Sequence, residues 1–313
     1  MNIVVIGIGG VGGYFGGKLC QMLQDRNDLE VHFIARGRHQ KEIQKKGLLL
    51  DTDDGVMLCT PTSATDRFSD LPALDLCLLS VKSFDLDRVL PQLQEKISEQ
   101  TTLLPLLNGV DIYERIRRHI KTGVVFPSCV YVSARIEREG KVTQRGDLRT
   151  IIFGKDPHND LVDERIFDLF SQARIKYEWH ENPYISIWSK FIFIASYSLV
   201  TANFDKTIGE VLASESLSST VVAIMRDIEA IARKKDIPLP ENIVSTSFER
   251  GQSFPPETKT SFQRNYEDRS KPDEREIFGG AIIHMADRLG IAAETTRDIY
   301  QSLEAHKPLN AKP

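Results

Sequence analysis

Three glycines near the start of the chain have the spacing that cradles phosphate. Residues 3–6 of Met1-Asn2-Ile3-Val4-Val5-Ile6-Gly7-Ile8-Gly9-Gly10-Val11-Gly12 form an apolar run of the length of a buried parallel strand. Gly7, Gly9 and Gly12 follow it in G-x-G-x-x-G order, and residues 14–23 read as a helix. In that context Gly7 permits a tight turn, Gly9 admits backbone close to a pyrophosphate, and Gly12 lets the helix pack on the strand. Gly10 and Val11 complete the turn, so the helix N-terminus offers unpaired N–H groups and a positive dipole end to the phosphates. A glycine turn with a purely structural role is the simpler alternative. The strand before it and the helix after it favour a dinucleotide.

A strand–turn–helix unit of this kind that binds NAD carries Asp or Glu at the end of its second strand, bonded to the ribose 2′-hydroxyl. Here that stretch is Ile34-Ala35-Arg36-Gly37-Arg38, with no carboxylate. Arg36 stands where the 2′ substituent lies, and a guanidinium matches a phosphate dianion through parallel charge-assisted bonds. The expected cofactor is therefore NADP(H). The alternative is a surface arginine after a strand, and Arg38 either assists it or is the first exposed residue of the next helix.

Two further polar residues end apolar strands. Lys82 follows Leu76-Cys77-Leu78-Leu79-Ser80-Val81, and Asn108 follows Leu103-Leu104-Pro105-Leu106-Leu107. The carboxyl edge of an open α/β sheet is where ligands bind, so both are candidates for the cofactor site. Otherwise Lys82 is a solvated loop cation and Asn108 makes an Asn-Gly turn. Lys190 needs more explanation. Ile185, Ile187, Trp188, Phe191, Ile192, Phe193 and Ile194 surround it on nearly every face of a helix, which is the pattern of a helix buried all round. A desolvated lysine loses basicity and becomes a usable proton donor near neutrality. The alternative is a lysine that snorkels to the surface.

The elements that must position these residues alternate in the first half of the chain. Strands are expected at 30–35, 74–81, 102–107, 124–136, 151–153 and 176–179, and helices at 38–46, 86–97, 111–119 and 160–173. Segments 48–50 and 56–59 flank the acidic turn Asp51-Thr52-Asp53-Asp54-Gly55 as a hairpin, since its spacing is wrong for a calcium loop. Such alternation implies an α/β fold, a Rossmann-type, mainly parallel sheet covered on both faces. After residue 180 strand signals nearly vanish, and helices are expected at 183–202, 217–235, 242–250 and 276–289. The expected organisation is an NADP-binding domain over residues 1–180 and an all-helical substrate and catalytic domain over 181–313.

Bulk properties exclude several classes. Two domains are the natural expectation for 313 residues. A net charge of −4 argues against nucleic-acid partners and anionic membranes, and Arg233-Lys234-Lys235 reads as a solvated helix face. The longest apolar segment, 191–200, is too short for a membrane span. The apolar start lacks the basic leader of a signal peptide and is interrupted by glycines. Cys20, Cys59, Cys77 and Cys129 form no C-x-x-C pair and no metal-ligand spacing with histidine, so no metal is expected and reduced thiols of a cytoplasmic protein are the simplest account.

Taken in order, Gly7-Ile8-Gly9-Gly10-Val11-Gly12, Ile34-Ala35-Arg36-Gly37, Ser80-Val81-Lys82, Leu107-Asn108-Gly109-Val110, Trp188-Ser189-Lys190, Gly209-Glu210, Thr260-Ser261 and the spacing from Glu274 to Gly280 to Gly290-Ile291 form a series. With this series the chain resembles the ketopantoate reductases (2-dehydropantoate 2-reductases) almost end to end. The resemblance implies NADPH-dependent reduction of a 2-keto acid to a 2-hydroxy acid, as in pantothenate and CoA biosynthesis. It implies that Lys190 donates the proton, that Glu274 lies close to it, and that Asn108 and Ser261 help to hold the substrate. The segment before Glu274 carries one extra residue, which leaves Asp273 as an alternative. Hydride addition places negative charge on the ketone oxygen, which a positioned cation stabilises and then protonates.

The chain departs from the family where asparagines usually recognise polar groups of the substrate: Ile194, Ser198 and Ile208 stand there instead. Ser198 retains a hydrogen-bonding group for the substrate; isoleucine does not. The exact keto acid is therefore open, and a more apolar branched 2-keto acid or a non-catalytic NADP-binding sensor are the competing readings. The sequence leaves oligomeric state open, with a homodimer among the options.

Overall fold

The computed structural model describes residues 1–269 and 271–306. The chain divides into two compact units, Met1–Pro183 and Tyr184–Pro313. The last seven residues of the expected second domain, 307–313, lie outside the described residues.

In the first unit β1 (Asn2–Ile6) leads through the glycine turn into α1 (Gly10–Gln21), then β2 (Glu30–Ile34) and α2 (Gly37–Lys46). The hairpin β3 (Leu48–Thr52) and β4 (Gly55–Cys59) follows, then β5 (Ser63–Thr65), β6 (Leu76–Leu79), α3 (Leu86–Val89), β7 (Thr102–Pro105), α4 (Ile112–His119) and β8 (Val124–Val125). The unit closes with β9 (Ser128–Arg138), β10 (Lys141–Gly154), α5 (Arg165–Gln172) and β11 (Lys176–His180). Six strands form an all-parallel sheet in the order β5-β2-β1-β6-β7-β8. Counted within that sheet alone, the order is 3-2-1-4-5-6, the doubly wound nucleotide-binding arrangement, whose direction reverses between β1 and β6. The expected Rossmann-type fold with a helical second half is what the chain adopts.

A single main sheet accounts for only part of the unit. The remaining strands build a second, mixed sheet in the order β11-β10-β3-β4, with β9 antiparallel to β10. The segment expected as one strand over 124–136 is divided between the two sheets. Val124 and Val125 pair with β7, Pro127 interrupts the ladder because it has no N–H to give, and β9 begins at Ser128 in the other sheet. The short strand expected at 151–153 is the end of the fourteen-residue β10, whose pairing with β9 shifts register between Gln144 and Arg149.

Helix α1 lies between the sheets. Five of its twelve residues are glycine. Each is about 1 kcal/mol less favourable than alanine in a helix, so packing rather than propensity must sustain it. The glycines form two stripes. A side chain at Gly12 would overlap the Gly7 carbonyl, and one at Gly16 would meet Phe33 at 2.9 Å, both on the parallel-sheet side. On the other side Gly10 faces the Ala134 backbone, Gly13 faces Val142 at 2.6 Å and Gly17 faces Leu50 at 2.9 Å. One buried core therefore runs from Ile3 and Val5 through Tyr14 and Phe15 to Leu50 and Val142.

Two helix expectations are corrected by local chemistry. The helix expected over 86–97 is α-helical only through Val89 and continues as 3₁₀ turns over Leu90–Lys96. Pro91 there lacks an N–H and its ring crowds the carbonyl four residues back. The helix expected from 160 begins at Arg165, because Asn159 and Asp163 side chains accept from the N–H groups of Leu161 and Arg165 and form turns first.

The second unit packs around α6 (Tyr184–Phe204), against which α7 (Ile208–Ala213), α8 (Glu215–Lys234), α9 (Ile243–Glu249), α10 (Ser261–Glu267) and α12 (Glu294–His306) lie. A π-helical turn over Glu276–Gly280 runs into α11 (Ala281–Leu289), which Gly290 ends in the left-handed conformation at φ 68°. The apolar segment expected over 191–200 is part of a much longer one. With 21 residues, α6 is long and apolar enough to cross a bilayer, yet 78% of its apolar window is buried inside the protein. It is a core helix. Helices α7, α10 and α12 were not expected: the first two are short, and α12 is mostly polar.

Candidate functional site

The glycine turn is built as a phosphate cradle. Gly7 takes φ +90°, donates its N–H to the Ile34 carbonyl at 2.9 Å, and would bring a side chain to within 2.8 Å of the Ser80 carbonyl. Ser80 then locks the turn from β6, its hydroxyl donating to the carbonyls of Ile6 at 3.1 Å and Gly7 at 3.0 Å. In the sequence Ser80 is one residue of the Ser80-Val81-Lys82 motif, and its place at the end of an apolar strand is the one local sign of this role.

Gly9 caps α1 with extended backbone, with no side-chain cap and no acidic residue in the first turn. The N–H groups of Gly10, Val11 and Gly12 thus begin a helix whose first turn carries no acidic side chain of its own against its positive end. A side chain on Gly9 would meet nothing within 4 Å, whereas one on Gly10 or Gly12 would strike backbone. The open space lies in front of the helix end, and the packed space lies beside it. Those are the shape and charge that a pyrophosphate requires, so these residues fit a dinucleotide.

Arg36, exposed at the start of α2, donates from Nη2 to Asp85 Oδ2 at 2.6 Å. Lys82 is exposed at the head of the turn after β6, and Asn108 is half-buried just beyond β7, beside Gly109 at φ +124°. Gly7, Gly9, Gly10, Val11, Gly12, Arg36, Lys82 and Asn108 therefore share the carboxyl edge of one parallel sheet. Asp85, absent from the expected set, joins them.

In the helical unit Lys190 is 7% exposed on α6. Ser186, Ile194 and Ser198 follow its stripe at four-residue spacing, which makes successive side chains neighbours. Ile194 is half-buried and Ser198 is buried. The stripe of α6 that carries Lys190 is therefore part hydroxyl, part hydrocarbon. Farther along α6, Thr201 Oγ1 lies 3.0 Å from Thr260 Oγ1, and Thr260 caps α10, of which Ser261 is the exposed first residue. Ile208 is buried at the start of α7. The neighbouring Gly209-Glu210 pair is architectural: Gly209 accommodates Pro256, and Glu210 forms a capping box with Thr207.

Asp273 and Glu274 are both buried but differently employed. Asp273 accepts from Arg275 Nε at 2.9 Å and Nη2 at 2.7 Å, and from the Arg275 backbone N–H at 3.1 Å. Arg275, fully buried, also reaches Glu304 at 2.9 Å and stacks over Tyr266 at 5.2 Å. Asp273 belongs to this structural clamp.

The sequence matches a family model described as Ketopantoate reductase PanE/ApbA over residues 3–158, and its companion, Ketopantoate reductase PanE/ApbA C terminal, over residues 185–307. Among curated proteins, an uncharacterized oxidoreductase of Bacillus subtilis is 25% identical over 310 residues, spanning 98% of this chain and 99% of that one. Among solved structures, a 2-dehydropantoate 2-reductase from Porphyromonas gingivalis is 28% identical with a TM-score of 0.83, covering 97% of this chain and 99% of that one. A D-mandelate dehydrogenase solved with NADH and anilino(oxo)acetate has a TM-score of 0.84 at 19% identity, covering 98% of each chain. At that identity the likeness concerns the fold.

Proposed function

Because the chain belongs to the ketopantoate reductase family of oxidoreductases, we propose that it catalyses NADPH-dependent reduction of 2-dehydropantoate to pantoate, the reaction used in pantothenate and CoA biosynthesis. The observation that carries this reading is Lys190, the one charged side chain of the core helix α6 and only 7% exposed there. Gly7, Gly9, Gly10, Val11 and Gly12 would hold the pyrophosphate, Arg36 the 2′-phosphate, and Lys82 and Asn108 the adjoining edge. When bound, the reduced nicotinamide supplies the hydride. Lys190 stabilises the charge that develops on the ketone oxygen and donates the proton to it. Glu274 keeps that lysine charged, since a neighbouring carboxylate opposes the effect of burial. Ser198, Ser261 and Asn108 orient the acid. The four cysteines, all buried, fit the reduced thiols of a cytoplasmic enzyme.

A second reading keeps the chemistry and changes the acid. Ile194 beside Lys190 does not hydrogen-bond a substrate hydroxyl, and a pocket with hydrocarbon there discriminates weakly for one. The D-mandelate dehydrogenase of the same fold supplies a precedent for a more apolar 2-hydroxy acid. Ketopantoate, 2-ketoisovalerate and phenylglyoxylate, assayed by NADPH absorbance with NADH in parallel, separate the readings. Preference for ketopantoate supports the first and indifference to its hydroxyl supports the second. Lys190→Ala should lower turnover by roughly 10²–10⁴. Undiminished turnover in that variant would remove Lys190 from the mechanism. Tight NADPH binding without turnover on any of the acids would make the protein a nucleotide sensor.

A further inference from the structure

The turn after β6 places a carboxylate where a phosphate-binding arginine has to work. Asp85 lies in a 3₁₀ turn whose backbone closes from its N–H to the Lys82 carbonyl at 2.9 Å. Arg115 on α4 braces that turn by donating to the Ser83 carbonyl at 2.8 Å. The Asp85 side chain is 14% exposed, so its carboxylate is fixed in place. Its two oxygens are divided between two arginines: Oδ2 takes Arg36 Nη2 and Oδ1 takes Arg88 Nη2, each at 2.6 Å. Both guanidinium groups are largely exposed, at 62% and 60%. The shielded partner is the anion; the solvent-exposed partners are the cations.

The sheet order makes this arrangement consequential. Arg36 follows β2 and Asp85 follows β6, and β1 with its glycine turn lies between those two strands. The ion pair therefore spans the point where strand order reverses, the crevice in which this fold binds a dinucleotide. A 2′-phosphate at Arg36 must draw the guanidinium away from Asp85 and tolerate a fixed negative charge nearby. A ribose 2′-hydroxyl meets no such opposition, because a carboxylate accepts its hydrogen bond.

Building on the dinucleotide reading above, we propose that Asp85 is a specificity-determining residue that holds down the preference for NADPH over NADH, and that Arg88 is the second phosphate-binding cation released when Asp85 gives up its pairs. Arg36 alone suggests a strict NADP enzyme. With Asp85 between two arginines, the site accepts both cofactors.

The test is direct binding, read from the fluorescence of the reduced nicotinamide on titrating wild type, Asp85→Asn, Arg88→Gln and Arg36→Ala with NADPH and with NADH. The ratio of the NADH to the NADPH dissociation constant should rise at least threefold in Asp85→Asn and fall at least threefold in Arg88→Gln, whose exposed side chain makes a folding defect no obstacle. A smaller change in Asp85→Asn, or a shift toward NADH, overturns the role of Asp85. If Asp85→Asn does not fold, an unchanged ratio in Arg88→Gln overturns the proposal. If wild type binds neither nucleotide, the dinucleotide reading fails and takes the proposal with it. If wild type binds both, Arg36→Ala loses NADPH affinity and the Asp85→Asn ratio is unmoved, the proposal alone fails.

Discussion

Asp273 grips the fully buried guanidinium of Arg275 with both carboxylate oxygens, at 2.9 and 2.7 Å, and Glu274, the next residue in the chain, is buried beside it. The proposed proton-donor role of Lys190 assigns these two adjacent acids different duties. Removing one partner of a buried pair leaves the other charge uncompensated, which costs about 3–5 kcal/mol. Asp273→Asn should therefore lower the thermal midpoint sharply. Glu274→Gln should lower turnover roughly 10²-fold. Denaturation and steady-state rates measured on both variants check the assignment; the reverse pattern would exchange the roles.

The glycine turn makes a second contrast. Gly9 has φ −86° and open space where a side chain would stand, so alanine meets no clash; the entropy it removes from the unfolded chain and the poorer helix cap it makes are each about 0.4–1 kcal/mol and of opposite sign. The same methyl would occupy the space facing the helix end. Gly9→Ala should leave the thermal midpoint nearly unchanged while weakening NADPH binding at least tenfold. Gly12→Ala collides with the Gly7 carbonyl and the Ser80 hydroxyl and should cost about 1–3 kcal/mol. Unchanged nucleotide affinity in Gly9→Ala would detach this turn from cofactor binding.

Ile194 offers a test of substrate choice. One helical turn beyond Lys190, Ile194→Asn places an amide on the same stripe as the ammonium. A hydrogen bond gained to a hydroxyl is worth about 1 kcal/mol net. The ratio of kcat/KM for ketopantoate over 2-ketoisovalerate should rise roughly fivefold to tenfold, since 1.4 kcal/mol corresponds to a factor of ten. No change in that ratio would place residue 194 away from the substrate.

The acidic hairpin turn sets a pH dependence. Asp51 is held below the ordinary carboxylate range by Lys141 at 2.9 Å and Arg145 at 2.8 Å, and Asp54 by Arg149. Glu137 is lowered by the Thr143 hydroxyl and then by Lys141. In each case the folded state binds the proton more weakly than the unfolded chain does. The stabilisation is complete above the ordinary aspartate value of about 4 and disappears as pH falls through the lowered values. The thermal midpoints of wild type and Asp51→Asn should differ at neutral pH and converge toward pH 3, with a smaller gap in high salt. A gap that persists in acid would show that Asp51 acts through something other than its charge.

Local pattern determined much of this protein. The apolar run before Gly7, the spacing of Gly7, Gly9 and Gly12, and the density of apolar residues around Lys190 each span only a few turns of chain. Periodicity and glycine chemistry therefore sufficed to read a Rossmann-type half and a helical half, whereas Glu274 and Ser261 are singled out only by the family resemblance. What tertiary structure alone decided depends on partners far apart in sequence. The second sheet requires β3 to meet β10 across some ninety residues of chain, and only that sheet explains why α1 carries glycine on two faces. The commitment of Asp273 to Arg275 is local in sequence, yet it depends on a cavity closed by Glu304 and Tyr266. Arg36 reads as a free phosphate ligand until the fold brings Asp85 to it from a different strand. A sequence specifies which groups are present; the net charge and exposure each one works with are set by what folding packs against it.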